Sequence, residues 1–310
     1  MKNQFVSPLG IYTALSAILV GSAGETKTEL LKVLHLKKLE TNGKLHEAIG
    51  RTLSKLTSST ALELLMSTGL FVRNDFDLND TYEKHIGELY GALARRVDFR
   101  GKPDDQRKHI NAWVCEKTKG KITELISPGT IYEETCLVLV NALYFKGKWY
   151  KCFDDRYTHP GDFFTLDGGS TTVQMMSQTE EFEWADLTDL DSVSLWMKFE
   201  GRVILPRFKL NTNDAWEPEK TLISLGASSL FDKKRPNLPG IRASHSLTFE
   251  NFMHEAKLEV NEVGAEAVAA TAFCASDSMG IHFKVDHPFM VLLIDENNIP
   301  VFAGHVTKPG

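Results

Sequence analysis

Apolar residues recur along this chain at two different spacings, and the spacing changes partway through. Over residues 11–22, Ile11, Leu15, Ile18 and Leu19 repeat every three or four positions, the period of one helix face. That predicts a buried helix. "GETKTELLKVLHL" (24–36) predicts a second, with Leu30, Leu31, Val33 and Leu34 to one side, and "GKLHEAIGRTLSKL" (43–56) an amphipathic third. Residues 62–76 read as a buried strand, apolar through Phe71 and Val72 and closing on the turn formers Asn74 and Asp75. A helix over 80–92 with Asp80 as its cap follows, then a short strand over 94–99. A helix over 105–122 carries Ile110, Trp113 and Val114 as its apolar residues.

The later part of the chain is dominated by strand patterns. Residues 135–149 form the clearest buried strand, and 163–175 alternate like edge strands. A strand over 201–210 precedes a helix over 219–231, and 244–264 hold one long strand. Residues 287–306 read as a hairpin of two buried strands turning at Asp295-Glu296-Asn297-Asn298. Helices cluster early and strands late, with no internal repeat and no linker. The expectation is a single α+β domain over 1–310 built on large sheets.

Composition narrows the partners. The 310 residues are 42% hydrophobic and 25% charged, enough for a sizeable core. The net charge of −6 comes from acidic and basic residues mixed along the chain, with no basic stripe for nucleic acid. No apolar run is long enough to cross a bilayer, so no membrane partner is expected. Cys115, Cys136, Cys152 and Cys274 match no zinc or CxxC spacing and read as free thiols. One glycosylation sequon occurs at Asn79-Asp80-Thr81. Residues 5–24 fit a secretory leader and a buried helix equally well, with Lys2 as the only basic residue before the apolar stretch.

Enzyme chemistry has no motif here. GxSxG, GxGxxG, HExxH and P-loop patterns are all absent. "LHEAIG" at His46 and "MHEAKL" at His254 open like a zinc helix but lack the second histidine. The chain is therefore read as neither an enzyme nor a cofactor protein.

The unusual stretch is "VNEVGAEAVAATAFCASDSMGIHFKVDHPF" (260–289). Gly264 to Ala272 contains no aromatic, no proline and one charge, Glu266. Alanine-rich segments usually read as helix, but this one sits between strand-like flanks, follows Gly264 and carries the β-branched Val268 and Thr271.

Eight stretches, in order, resemble corresponding stretches of serpins: "FVSPLGIYTALSAILVGSAGETKTEL", "INAWVCEKTKGKI", "LVLVNALYFKGKW", "VQMM", "LPRFKL", "LGASSLFD", "HEAKLEVNEVGAEAVAAT" and "DHPFMVLLIDENNIPVFAGHV". They cover nearly the whole chain and have an ovalbumin-like flavour. The resemblance implies the serpin fold, helices around large mixed sheets, with an exposed reactive-centre loop over about 264–284. It implies a suicide substrate: a serine protease cuts the loop, stays attached as an acyl-enzyme, and is carried off as the loop inserts as a new strand. It assigns residues 5–24 to a core helix, with an earlier family helix absent or truncated. A cytoplasmic location is then expected, or an extracellular one if the N-terminus is truncated.

By the same resemblance, Glu262, Gly264, Ala265, Ala267, Ala269 and Thr271 form the hinge, with Gly264 giving it a permissive backbone. The inserted tract, free of proline, would turn Ala265, Ala267, Ala269 and Thr271 to the crowded core face and Glu266, Val268, Ala270 and Ala272 to solvent. Ser7, Asn141 and His254 form a polar cluster beneath the point where the sheet opens, with Gly10 replacing a second serine. Glu262 and Arg207 pair at the top of the sheet near Trp149. Ala265 departs from the small hydroxyl usual in inhibitory members, and Val268 from a smaller residue. Arg51 and Lys55 are too few for a heparin-like cofactor site.

Counting from Gly264 places the scissile bond at Ser278-Met279, and counting back from Pro288 places it at Asp277-Ser278. No Lys or Arg lies between Lys257 and Lys284, which disfavours trypsin-like enzymes with their buried aspartate. Elastase- or chymotrypsin-like targets are favoured, and Asp277 leaves an aspartate-specific protease open. The alternative is a non-inhibitory serpin acting as a binding or structural protein. Family members also carry two strands and two short helices between Gly201 and Arg202 that this chain lacks. Those strands would pack beside 287–306, so their loss implies exposed apolar surface. A monomer is expected, with a tendency to loop–sheet self-association.

Overall fold

The computed structural model describes residues 2–39, 44–57, 62–147, 149, 151–180, 183–187, 192–196, 201–212, 217–232, 236–242, 249, 251–262, 281–295 and 298–309. In chain order the elements are β1 (Gln4–Val6), α1 (Pro8–Gly21), α2 (Gly24–Val33), α3 (Leu45–Thr57), β2 (Leu62–Arg73), α4 (Asp80–Tyr90), β3 (Leu93–Val97), α5 (Pro103–Lys117) and β4 (Leu137–Gly147). There follow β5 (His159–Phe164), β6 (Ser170–Glu180), β7 (Glu183–Leu187), β8 (Ser192–Trp196), β9 (Gly201–Pro206), β10 (Phe208–Asn211), α6 (Pro218–Leu225) and α7 (Ser228–Phe231). The last four are β11 (Asn251–Val260), β12 (Ile281–Lys284), β13 (Phe289–Ile294) and β14 (Pro300–Val306). Helices early and strands late give the α+β fold expected. No helix among the described residues is long and apolar enough to cross a membrane.

The largest sheet has the order β10-β11-β4-β2-β3. Its inner strand β4 alternates between two cores, because successive side chains on a strand point to opposite faces. Leu137, Leu139 and Leu143 join the main core with α1 residues Leu15, Ile18 and Leu19. Val138, Val140 and Ala142 join a second core with α5 residues Ile110 and Val114. Thus α1 covers one face and α5 the other, and β4 reads as a continuous apolar run because neither face meets water. The remaining sheets are β12-β9-β6-β5, β1-β14-β13 and the pair β7-β8.

Several boundaries differ from the sequence reading, each for a local reason. Helix α1 starts at Pro8, three residues early, because Ser7 caps it by accepting from Gly10 N–H and proline suits a first helical turn. Its buried side chains place this apolar segment in the core. Asn79, not Asp80, caps α4, accepting from Thr81 N–H, and Gly91 ends the helix in a left-handed conformation (φ 60°). Helix α2 stops at Val33 before His35 (φ 55°), and α5 stops at Lys117 before Lys119 (φ 49°) and Gly120 (φ 77°).

The segment 163–175 spans parts of two strands, of which β5 lies at the edge of its sheet and β6 inside it. A turn falls inside it, where Asp167 Oδ1 accepts from Thr165 Oγ1 and Gly169 N, and it joins β5 to β6. The strand expected over 201–210 divides at Pro206 into β9 and β10, which belong to different sheets. The helix expected over 219–231 breaks at Gly226 (φ 107°) into α6 and α7. The long strand expected within 244–264 is β11. The hairpin over 287–306 forms, but it is not buried on both sides: Met290 and Leu292 of β13 are 83% and 57% exposed. The turn residues Glu296 and Asn297 lie outside the described residues.

Candidate functional site

At the centre of the largest sheet β11 runs parallel to β4, with eight residue pairs from Asn251 opposite Val138 to Leu258 opposite Phe145. The strands outside this seam pair antiparallel to it: β10 with β11, and β2 with β4. Parallel pairing is slightly weaker per residue than antiparallel. The seam is therefore less tightly joined, pair for pair, than the antiparallel pairings on either side of it.

Register brings three polar side chains into one row across it. His254 stands opposite Asn141, and Asn141 stands opposite Thr68 of β2. These positions share the face covered by α1, since Phe252 and Ala256 of β11 and Leu70 of β2 pack into the same core. Ser7 N–H donates to His254 Nε2 at 3.0 Å, so that nitrogen carries no proton. Nδ1 then holds the ring proton and donates to Asn141 Oδ1 at 2.9 Å. Asn141 Nδ2 donates to Thr68 Oγ1 at 3.0 Å. Ser7 Oγ donates to the Val301 carbonyl at 2.6 Å, tying α1 to β14. All four side chains are buried, and burial pulls the His254 pKa down from 6.5 to about 3. The imidazole is neutral, as the donor pattern requires.

Gly10 takes part through what it lacks. A Cβ there would stand 2.3 Å from Asn141 Oδ1 and 2.3 Å from Leu143 Cδ1. The carboxamide of Asn141 uses space that a side chain at position 10 would fill. Missing the second serine therefore does not dismantle the row.

The upper end of the seam is tied as well. Beyond β4, Trp149 Nε1 donates to the Asn261 carbonyl at 2.6 Å, and Phe153 N–H donates to the Glu262 carbonyl at 2.9 Å. Glu262 is 5% exposed. Its Oε1 accepts from Arg207 Nε and from Thr158 Oγ1, each at 2.5 Å. Burial raises the Glu262 pKa, but the bonds from Thr158 and Arg207 outweigh it and hold the carboxyl below its usual value. Arg207 lies between β9 and β10, and Thr158 precedes β5, so Glu262 anchors the end of β11 to the neighbouring sheet.

The structure thus brings together Ser7, Asn141 and His254, and separately Glu262, Arg207 and Trp149. Sequence reading missed Thr68, Thr158 and Phe153. Only strand register and the path of the chain beyond β4 place them there, and neither leaves a mark in the local pattern. The hinge positions Gly264, Ala265, Ala267, Ala269 and Thr271, with Asp277, Ser278 and Met279, lie outside the described residues. So does Cys274.

A five-stranded sheet with a central parallel seam, sandwiched between α1 and α5, defines the architecture. The family model for Serpin (serine protease inhibitor) matches residues 1–204 and 194–309, and the chain belongs to the serpin family. It is 31% identical to Serpin B9 of Homo sapiens, covering 99% of this chain and 93% of that protein. It is 30% identical to the leukocyte elastase inhibitor of Bos taurus, covering 99% and 93%. Among solved structures, Serpin48 of the insect Tenebrio molitor matches with a TM-score of 0.90 at 29% identity, covering 100% of this chain and 93% of that one.

The alignment to Serpin B9 runs over 356 positions against 310 residues here, so at least 46 positions face gaps in this chain. The family match breaks into two pieces that overlap at 194–204, around Gly201 and Arg202, where the resemblance places the missing segment.

Two outcomes follow from this geometry. Because the His254 pKa is depressed in the fold, its contribution is full above the unfolded value of 6.5 and is lost as pH falls from 6.5 towards 3. Stability measured by urea unfolding should fall below pH 6.5 by up to about 1.4 kcal/mol per pH unit. In His254→Gln that slope between pH 6.5 and 5 should flatten, and an unchanged slope would assign the effect elsewhere.

Gly10→Ser should displace Asn141 and lower the melting temperature, at a net cost of about 1–3 kcal/mol. Added to Asn141→Ala, it should cost less, the remaining cost coming from the close contact with Leu143. Equal costs in both backgrounds would show that position 10 and Asn141 do not compete for space.

Proposed function

We propose that this chain inhibits serine proteases as a suicide substrate, acting as one domain over 1–310. The observation that carries the reading is the parallel seam between β11 and β4, from whose upper end the tract 263–280 departs. A strand that turns back from β11 runs antiparallel to it. Placed between β11 and β4, it is antiparallel to both, so one parallel pair becomes two antiparallel pairs. Each net hydrogen bond contributes roughly 0.5–1.5 kcal/mol. A tract of this length therefore favours insertion once its far end is released.

Release is the protease's step. Its serine Oγ attacks the carbonyl of Ser278-Met279, or of Asp277-Ser278. An ester C–O bond forms, the peptide C–N bond breaks, and the new amine leaves with the proton taken from the serine. Insertion before water reaches the ester traps the acyl-enzyme. Opening the seam must part His254 from Asn141, Trp149 from Asn261 and Phe153 from Glu262. These contacts act as closures of the uncut sheet, and Glu262 with Arg207 holds the hinge end in place. Ala265, Ala267, Ala269 and Thr271 enter as the crowded face.

The cation-free tract before Lys284 and the relative named a leukocyte elastase inhibitor together favour an elastase- or chymotrypsin-like target. One departure favours a second reading, a non-inhibitory binding or structural protein: Ala265 stands where inhibitory members have a small hydroxyl.

Cleavage decides between the two. The chain nicked by an elastase-like protease, with the cut mapped by mass spectrometry, should melt well above the intact chain. Equal or lower melting would mean that the loop does not insert, leaving the non-inhibitory reading.

Ala269→Arg or Ala267→Pro should abolish the denaturation-resistant complex while leaving cleavage intact. A long charge on the crowded face, or a lost ladder donor, stalls insertion. An unchanged yield of complex in denaturing gels would rule out insertion along this tract.

A further inference from the structure

The sheet β1-β14-β13 ends at β13, and among the described residues no strand pairs with the outer edge of β13. Its sequence is FMVLLI, with no charge, proline or glycine. Phe289, Val291 and Leu293 pack against the main core, while Met290 and Leu292 point outward at 83% and 57% exposure. The irregularity in its pairing with β14 falls only at Leu293/Ile294, so the rest of the strand is regular. An open apolar edge of this kind is a template for another strand.

The other outer strands of the three larger sheets are all guarded. Strand β3 carries Arg95 and Arg96, and β10 carries Lys209. Strand β5 carries Pro160 and Asp162, β12 carries Lys284, and β1 is only three residues long. Charges, prolines and short lengths are the devices that keep sheet edges from pairing. Among these outer strands β13 alone has none of them.

We propose that β13 is a self-association edge, where two copies of this chain join their β13 strands antiparallel across a two-fold axis. The strand is complementary to itself. Antiparallel backbones exchange donors and acceptors symmetrically, and a six-residue stretch without charge meets no like charge in its copy.

Facing residues must share a side of the sheet. The axis therefore passes through Val291 or Leu292. In the first register Met290 faces the partner's Leu292, and in the second Leu292 faces its own copy. Either way Phe289, Val291 and Leu293 extend the inner face, and the exposed methionine and leucine cover one another. The three-stranded sheet becomes six-stranded across two molecules. A contact of one strand per copy is small, so the dimer is weak and appears at raised concentration. The association uses none of the loop over 263–280 and does not depend on protease inhibition.

Sedimentation of the intact chain between about 1 and 200 μM tests this by mass action. The weight-average mass should rise reversibly from 34.7 kDa towards twice that value. Met290→Lys/Leu292→Lys should stay monomeric over the same range with an unchanged melting temperature, since both side chains are already in water. Ala269→Arg, which blocks loop insertion, should dimerise as the unmodified chain does.

A second measurement fixes the geometry. In a Cys152→Ser background, Met290→Cys/Leu292→Cys should oxidise to a disulfide between copies, with mass spectrometry mapping it to 290–292 or 292–292. It should form at least tenfold faster than a Leu166→Cys control, whose leucine is 58% exposed on the β5–β6 turn. A chain monomeric at 200 μM, a lysine variant that dimerises equally, loss of dimer in Ala269→Arg, or crosslinking no faster than the control would each overturn the proposal.

Discussion

A strand in the middle of a sheet must satisfy its backbone on both edges, and here the two middle strands meet each other in parallel. β4 and β11 are more than a hundred residues apart in the chain. They are joined over eight pairs, each flanked on its other side by an antiparallel neighbour. The rest of the molecule is arranged about that seam. Helix α1 closes one face and α5 the other. Residues beyond the upper ends of both strands tie them together. In the mechanism proposed for this chain, one more strand in that gap would replace the parallel pair with two antiparallel ones.

Placing histidine in that core sets a demand that only a chain of partners meets. Burial removes water from the ring, so the ring stays neutral, and each nitrogen needs a partner of the right kind. Ser7 provides the donor and Asn141 the acceptor, and Thr68 accepts from the amide of Asn141. The bond between His254 and Asn141 crosses the seam itself. A polar row is therefore both a closure and a set of groups that must find new partners whenever the strands part. An apolar row would close the sheet without that directional requirement.

Two of the sheets are small: β7 and β8 form a separate pair, and β1-β14-β13 ends, among the described residues, on an unguarded strand. The core side of β13 is satisfied by packing against the main core. At its other face Met290 and Leu292 meet water.

Much of this was legible in order along the chain. The apolar periods located α1 to α5, β2, β4 and the final hairpin, because a buried face imposes its own spacing on the residues that fill it. Motif stretches such as "LVLVNALYFKGKW" and "HEAKLEVNEVGAEAVAAT" carried the family, and with it Ser7, Asn141, His254, Glu262 and Arg207. Local chemistry then moved the boundaries: the Ser7 and Asn79 caps, Pro206, and the left-handed residues Gly226 and Lys119 decided where elements end.

Three things belonged to the tertiary structure alone. Thr68 joins the polar row because β2 pairs with β4 in one particular register. Asn141 occupies the space left by Gly10 because α1 lies directly on β4. β13 is open at its edge because no strand among the described residues reaches it. Each depends on which residues from distant parts of the chain become neighbours, and a one-dimensional pattern records a residue's preference for burial without naming what it will be buried against.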